Sequence, residues 1–570
     1  MSLDEKRGQT AVADHQRAGK EDGIEAIEDI PPPDPASQRN FENDQVTLKT
    51  WIVVFFLAWS GGLSFWIVPA TASTIGTITT ELGDGSAAAW VTSAYTLACS
   101  VASMVCGSNS DLFGRRYFIL AGNVFMIVGL FIGGSAKAAN TIIAGMALVG
   151  FGAGNAQLAA FALPELLPNK WRAVGVVISG RYAVAHGHAW RWLFYAPGVA
   201  AVTSLLGLGL LYFPPAHPRG LPFRRALREL DYGGAFLFAA GATLTLTGIN
   251  YTTILSASNP KVLGTLISGL GTLILFALWE TFVPLKQPLT PTHLWTKGRG
   301  RHFTAPWIAG FVITMFYYGI NIVYPTQIAV FFTDSTTPFT YGVKLTLPQN
   351  LGLVIGAALL GLLDTRIKHR KWTLTGALTM VTIFGSLLAL GNPHRKNMMM
   401  AFVFLAMMPF GWAQALSITY IQMGAEQREL GIAGGLGGVA RYAGGSVAFS
   451  VYSAILTNVV SRQILEHVPA AAIAAGLPAS SVPALLAALP LGAAALEKVP
   501  GISTAILEAA GAAYVQAYVV GLRTIALSSI AFGGCGIIAC LFLVEITPKM
   551  NRKIEVFLEN DVNADKNAYH

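Results

Sequence analysis

Charge is scarce in this chain. Lys, Arg, Asp and Glu together make up 12% of 570 residues, roughly half the share of a soluble domain. So little charge cannot cover a body of this size in water, which excludes a soluble enzyme, a nucleic-acid binder and a fibrous protein. Cysteine is scarce too. Cys99, Cys106, Cys535 and Cys540 all fall inside apolar runs, and no Cys-x-x-Cys pair supplies metal spacing. A disulfide scaffold is thereby excluded, and a bare His186-Gly187-His188 does not make a metal site. Acidic residues are missing from the middle of every apolar run, so no proton carrier can be named. No cofactor is expected.

What is present is hydrophobic length. Apolar residues make up 53% of the chain, enough to line about fourteen spans of roughly 20 residues each. Thirteen clear runs occur, from 51–70 to 523–545, many of them Gly-rich and broken by Pro as membrane helices tolerate. The runs 303–332 and 430–458 exceed one span and are expected to tilt or protrude. The first 50 residues carry 6 basic and 11 acidic side chains around Pro31-Pro32-Pro33; with no apolar stretch, they read as a disordered tail and not a cleaved signal. Residues 51–545 hold 28 basic against 15 acidic groups, placed in short loops where they orient the protein.

The basic loops alternate as a positive-inside protein requires, with one fault. Lys170–Arg172 and Arg219–Arg228 should face the same side, yet one full run, 190–213, separates them. A second crossing is needed, and the sequence there is AVGVVISGRYAVAHGHA. Its thirteen residues 173–185 would rise about 20 Å as helix against a core of about 30 Å. It reads as a truncated fifth span.

Between the second and third runs stands GSNSDLFGRR, residues 107–116. Gly107 permits close helix approach, and Gly114 a turn with positive φ. Asp111 suits the positive end of a neighbouring helix, and Arg115 and Arg116 hold the loop on one side. This element resembles the G-x-x-x-D-x-x-G-R-R/K loop of the major facilitator superfamily. Gly361, Asp364 and Arg366 form a weaker echo after the tenth span. Asp231-Tyr232-Gly233-Gly234 looks like the fourteen-helix drug:proton antiporter branch. FALPELLPNKWR (161–172), AWRWLFY (189–195) and GVARYAGGSVAFSVYSAILTN (438–458) resemble fungal trichothecene efflux pumps and related siderophore transporters.

The resemblance implies an all-α, polytopic membrane protein of the major facilitator fold, two six-helix half-bundles with two inserted helices. On that plan, 1–47 is a cytoplasmic tail and 48–215 the first half, with helix 5 truncated near 173–188. The linker helices and their loop occupy 216–300. The second half is 301–546, with a long outer loop at 459–520, and 547–570 is a second cytoplasmic tail. Two departures stand out. Gly145 is followed by Met146 where many members carry Arg, and the antiporter motif of the fifth span falls in the truncated segment.

Arg441 lies midway along the thirteenth span, where a guanidinium usually faces the bundle interior or a wet cavity. It reads equally as a substrate contact or as a structural clamp. Asn155, Gln157, Tyr318, Asn321, Gln327 and Gln414 suit a bulky, oxygen-rich ligand or, alternatively, interhelical hydrogen bonds. Glu165, Asp231, Glu280 and Asp364 sit at helix ends and are assigned to capping, loop pairing or gate contacts.

The expected function is proton-coupled efflux of a toxin or drug by a multi-pass plasma-membrane protein. Its partners are a small organic substrate, protons and the lipid bilayer, and no nucleic acid. Siderophore-iron import, a non-transporting receptor, and a chain defective in helix 5 are the alternatives. No enzymatic constellation occurs in the spans.

Overall fold

A computed structural model describes residues 46–72, 78–79, 82–84, 87–159, 191–215, 223–252, 255–333, 337, 339–363, 366–426, 429–489, 496, 498–549, 557–562 and 564. Among the described residues the fold is helical and contains no strand; a single bridge joins Leu230 to Gln287. The first five long helices are α1 (Leu48–Ala72), α2 (Ala88–Phe113), α3 (Arg115–Gly134), α4 (Ala139–Ala156) and α5 (Trp192–Leu211). The short α6 (Phe223–Glu229) leads into α7 (Tyr232–Tyr251) and α8 (Pro260–Phe282), and α9 (Thr292–Thr296) follows. Then come α10 (Thr304–Gln327), α11 (Phe339–Leu363), α12 (Arg370–Leu387), α13 (Lys396–Gly424) and α14 (Leu430–Ala474). The chain closes with α15 (Val482–Ala488) and α16 (Thr504–Leu541). Eleven helices of the described residues are long and apolar enough to cross a membrane, and α1 and α4 lie alongside them.

Gly114, at φ +82°, breaks α2 from α3 and turns the chain back on itself. Packing then groups α1 to α5 with one another and α10 to α14 with α16, while α2 and α14 meet along their length. α7 and α8 pair at the edge. Of α8 only Val262, Gly269, Phe276 and Glu280 are buried, and Leu263, Ile267, Leu270 and Ile274 form an exposed apolar stripe. In water that stripe would be costly; in hydrocarbon it is not. Pro325 removes a helical N–H from α10, whose last turn widens into a π-helix at Ile328–Phe332.

α4 and α5 both run antiparallel to α3. A methyl on Gly122 would strike Gly152 and Ala156, and one on Gly133 would strike Phe194 at the start of α5. At the other end of α3, Arg116 Nη2 donates to Gly209 O (2.8 Å), at the end of α5. Two consecutive described helices are therefore parallel, which is the relation the charge parity demands. The segment 173–188, with Glu165, lies outside the described residues, as does Asp364.

Residues 459–520, expected as a loop, differ. α14 runs sixteen residues past 458 and α16 starts at Thr504. With α15 they bury Val468, Ala472, Leu485, Ala488, Ile506 and Ala510 in an apolar knot of their own. Ser461, Arg462, Glu466 and His467 lower the hydropathy just where the helix continues, so hydropathy ended at the membrane and the helix did not.

The C-terminal segment also docks. Leu558 is buried against Val53, Val54, Leu57 and Tyr212, and Glu559 N donates to Phe213 O (2.9 Å). Asp561 accepts from the Thr47 and Thr50 hydroxyls at the start of α1, the latter at 2.8 Å.

Candidate functional site

Two constellations tie the helix groups together. The first is at the Arg115 end. Asp111 is fully buried at the end of α2, and its carboxylate accepts from the Gly431 and Ile432 amides, each at 2.9 Å. Those amides are among the unpaired donors that open α14, so the carboxylate meets both free N–H groups and the positive helix end. Arg115 lies 3.8 Å from the same carboxylate and is itself buried. Arg116 stacks its guanidinium 3.8 Å over the Phe213 ring. Above Asp111 the helices touch backbone to backbone: a methyl on Gly107 would sit 2.5 Å from Gly435 Cα. Only glycines on both sides allow this approach.

Of the echo residues, Gly361 is half-buried on the last turn of α11 and Arg366 is exposed. The carboxylate that meets a helix start in this region is Glu545, which the sequence did not single out. It accepts from Arg370 N (3.1 Å) and Lys371 N (3.2 Å) at the start of α12. Asp231 caps its own helix through Gly234 N (2.8 Å), and Glu280 accepts from Leu289 N (3.3 Å) and Thr290 N (2.9 Å).

The second constellation is at mid-span. Arg441 lies eleven residues into α14, about 16 Å from its start and near half the thickness of a bilayer core. Its side chain is almost fully buried, and Nη1 donates to Gln157 Oε1 at 2.8 Å. Gln157 Nε2 in turn donates to Ser64 Oγ on α1. The Gln414 amide of α13, turned with its oxygen toward the guanidinium, accepts from Arg441 Nε (2.5 Å) and Nη2 (3.2 Å). One guanidinium thus joins α1, the end of α4, α13 and α14. Tyr95 meets Tyr442 edge to face (6.3 Å) and donates its hydroxyl to Ser64 O. Tyr317 stacks on Phe410 (5.1 Å), and Tyr318 covers Gly445.

Gln157, Gln414 and Arg441 are brought together, with Tyr318 beside them on α10. Asn155 is not part of this network: its amide back-bonds to Phe151 O (2.8 Å) and its Cβ lies against Gly122 of α3. Asn321 accepts from Gln349 Nε2 (3.0 Å) and so joins α10 to α11. Gln327 donates to Leu388 O (3.0 Å), beyond the end of α12. Both serve helix contacts in the second group. Ser64, Tyr95 and Gln349 were missed, because a lone polar or aromatic residue inside an apolar run carries no mark of what it faces.

Long apolar helices in two packed groups, joined through a buried polar bridge and sealed at one end, define a polytopic membrane protein of the major facilitator class, a transporter of small organic molecules. The sequence profile of the fungal trichothecene efflux pump family (TRI12) matches residues 49–570, and the chain belongs to that family. The MFS-type transporter prx5 of Penicillium rubens is 40% identical over 525 residues, covering 89% of this chain and 93% of that one. The trichothecene efflux pump TRI12 of Fusarium sporotrichioides is 26% identical, covering 91% and 90%. Among solved structures, the proton:xylose symporter XylE aligns over 88% of this chain and 97% of that one, with 13% identity and a TM-score of 0.49.

Proposed function

We propose that the protein exports a small organic toxin or drug in exchange for protons, and carries its substrate chemically unchanged. On this reading it sits in the plasma membrane with both termini and the Asp111 end in the cytoplasm. The carrying observation is the Gln157–Arg441–Gln414 bridge. It lies at mid-depth, crosses between the helix groups, and is made of hydrogen bonds that an oxygen-rich substrate can replace one for one. An incoming carbonyl or hydroxyl takes the place of Gln157 on Arg441, which frees α4 from α14 and lets the two groups rock about the site. Asp111 on the α14 N-terminus, backed by the Gly107–Gly435 contact, holds the cytoplasmic end shut while the substrate leaves on the other side.

Orientation is supported by the basic residues at the Asp111 end, among them Arg115, Arg116, Arg370 and Lys371, against the few at the other. Efflux is supported by the family and by its Fusarium sporotrichioides relative, a trichothecene efflux pump. The test is transport in inside-out vesicles with a labelled trichothecene and a panel of unrelated toxins. Accumulation should rise with an imposed inward-acidic gradient and be lost in Arg441→Met. Accumulation that ignores the gradient removes the coupling, and an active Arg441→Met removes the site.

A further inference from the structure

Two carboxyl groups are buried side by side where α7 begins and α8 ends. Asp231 and Glu280 are each 7% exposed. They converge on one point: a methyl on Gly234 would lie 1.9 Å from Asp231 Oδ2 and 2.8 Å from Glu280 Oε1. Asp231 Oδ1 is satisfied by Gly234 N (2.8 Å) and Trp279 Nε1 (3.0 Å). Asp231 Oδ2, the oxygen turned toward Glu280, is buried with no donor. Neither carboxyl belongs to an ion pair among the described residues. On the elements packed around them, Arg225 and Glu229 of α6 pair with each other at 3.2 Å and Asp111 at the end of α2 lies 3.8 Å from Arg115; the other charged groups are Arg224 and Arg228 of α6, Lys261 at the far end of α8, Lys286 after it, and Arg441, Arg462, Glu466 and His467 of α14.

Two ionised carboxylates buried together repel one another, and a donorless buried oxygen adds its own desolvation cost. One proton removes both penalties, because it supplies the missing donor to Asp231 Oδ2 and cancels one charge. We infer that Asp231 and Glu280 form a proton-binding site in the two linker helices, which takes a single proton from the solution at the Asp111 end and shares it between them.

The site is wired to the gate. Glu280 holds the Leu289 and Thr290 amides, and the same loop is tied to α2 by Gln287 Nε2 to Ser108 O (3.2 Å) and Ser108 Oγ to Pro288 O (3.3 Å). Ser108 is three residues before Asp111. When the proton leaves, the two negative charges separate most readily by releasing Glu280 from that loop, which loosens the α2 end that carries the gate. The bound proton therefore favours the closed end.

The test is infrared difference spectroscopy of the whole protein in nanodiscs, titrated from about pH 5 to about pH 9. Wild type should lose a protonated-carboxyl C=O band, with a parallel change in the fluorescence of Trp279, whose indole donates to Asp231. The band should be absent in Asp231→Asn and in Glu280→Gln, and the fluorescence change absent in Trp279→Phe. A wild type without the band, or a band that persists in both carboxyl variants, overturns the inference. Because the readout needs no substrate, it stands or falls apart from proton-coupled export.

Discussion

Arg441 and Gln157 are 284 positions apart in the chain, yet the guanidinium of one donates to the amide oxygen of the other at 2.8 Å in a fully buried setting. The contact joins the two helix groups about 16 Å along α14, near half the thickness of a bilayer core.

Removing one side of it separates a clamp from a binding site. Gln157→Leu leaves a buried guanidinium N–H without its acceptor, at a cost of about 1–3 kcal/mol. As a site residue, Gln157 should lower transport about tenfold or more while the protein still reaches the membrane. Arg441→Lys should not restore transport, because a single ammonium cannot serve Gln157 and Gln414 as the planar guanidinium does. Vesicle transport scaled to membrane protein measures both; a stability loss with normal transport would leave Arg441 a clamp.

The α2–α14 contact leaves no space for a side chain. A methyl on Gly435 would lie 2.6 Å from Gly107 Cα and 2.5 Å from Ser103 O, both backbone atoms that cannot step aside. Gly435→Val and Gly107→Val should each hold the Asp111 end open, seen as faster labelling of a cysteine placed at Ser108. The double variant should be little worse than either single one, since both remove the same contact. Asp111→Asn should act in the same direction more weakly, at about 0.3–2 kcal/mol for a charge on a helix N-terminus.

Docking of the C-terminal segment should depend on pH with a definite sign. Burial alone would raise the Asp561 carboxyl, but hydrogen bonds from Thr47, Thr50 and the Val562 amide, with the Lys49 ammonium nearby, outweigh it and hold the group below the usual carboxylate range. Its contribution is thus complete above the free value of about 3.9 and lost as pH falls through the lower folded value. Hydrogen exchange at 557–562 should show protection at neutral pH that disappears in strong acid. Asp561→Asn should lose it at neutral pH, and unchanged protection there would count against the docking.

The apolar knot at the far end should melt by itself. Leu485 is fully buried in it, and Leu485→Ala should cost about 2–5 kcal/mol. Limited proteolysis should then cut between α14 and α16 in the variant and spare the wild type, with the Asp111 end unaffected.

Much of this was readable in the sequence, for physical reasons. Hydropathy finds helices that meet lipid, so the thirteen long helices of the described residues stand where the apolar runs are. The Asp111 loop was legible because its glycines and charges serve local turns and a helix end. The sequence crowds glycines into α14 without disclosing what each of them meets. In the structure Gly431, Gly435 and Gly438 lie against α2, and Gly444 and Gly445 against Phe311 and Tyr318 of α10, so each meets a neighbour. Partnership was not legible. Nothing in Gln157 distinguishes it from Asn155 two residues earlier, although a turn of the helix sends one to Arg441 and the other to Gly122. Nor does a charge-bearing stretch such as Ser461–His467 disclose that its helix goes on beyond the membrane.

The unbroken length of α14 has a mechanical consequence. Forty-five residues at 1.5 Å each give α14 a length of about 68 Å, more than twice a bilayer core, with Pro469 inside it just past Val468. Gly431 lies about 15 Å to one side of Arg441, and Val468 about 40 Å to the other. If α14 pivots near Arg441, a movement at Gly431 is magnified between two- and threefold at the knot. With the Asp111 end proposed as a seal, the far end is the long arm of a lever whose short arm is that seal.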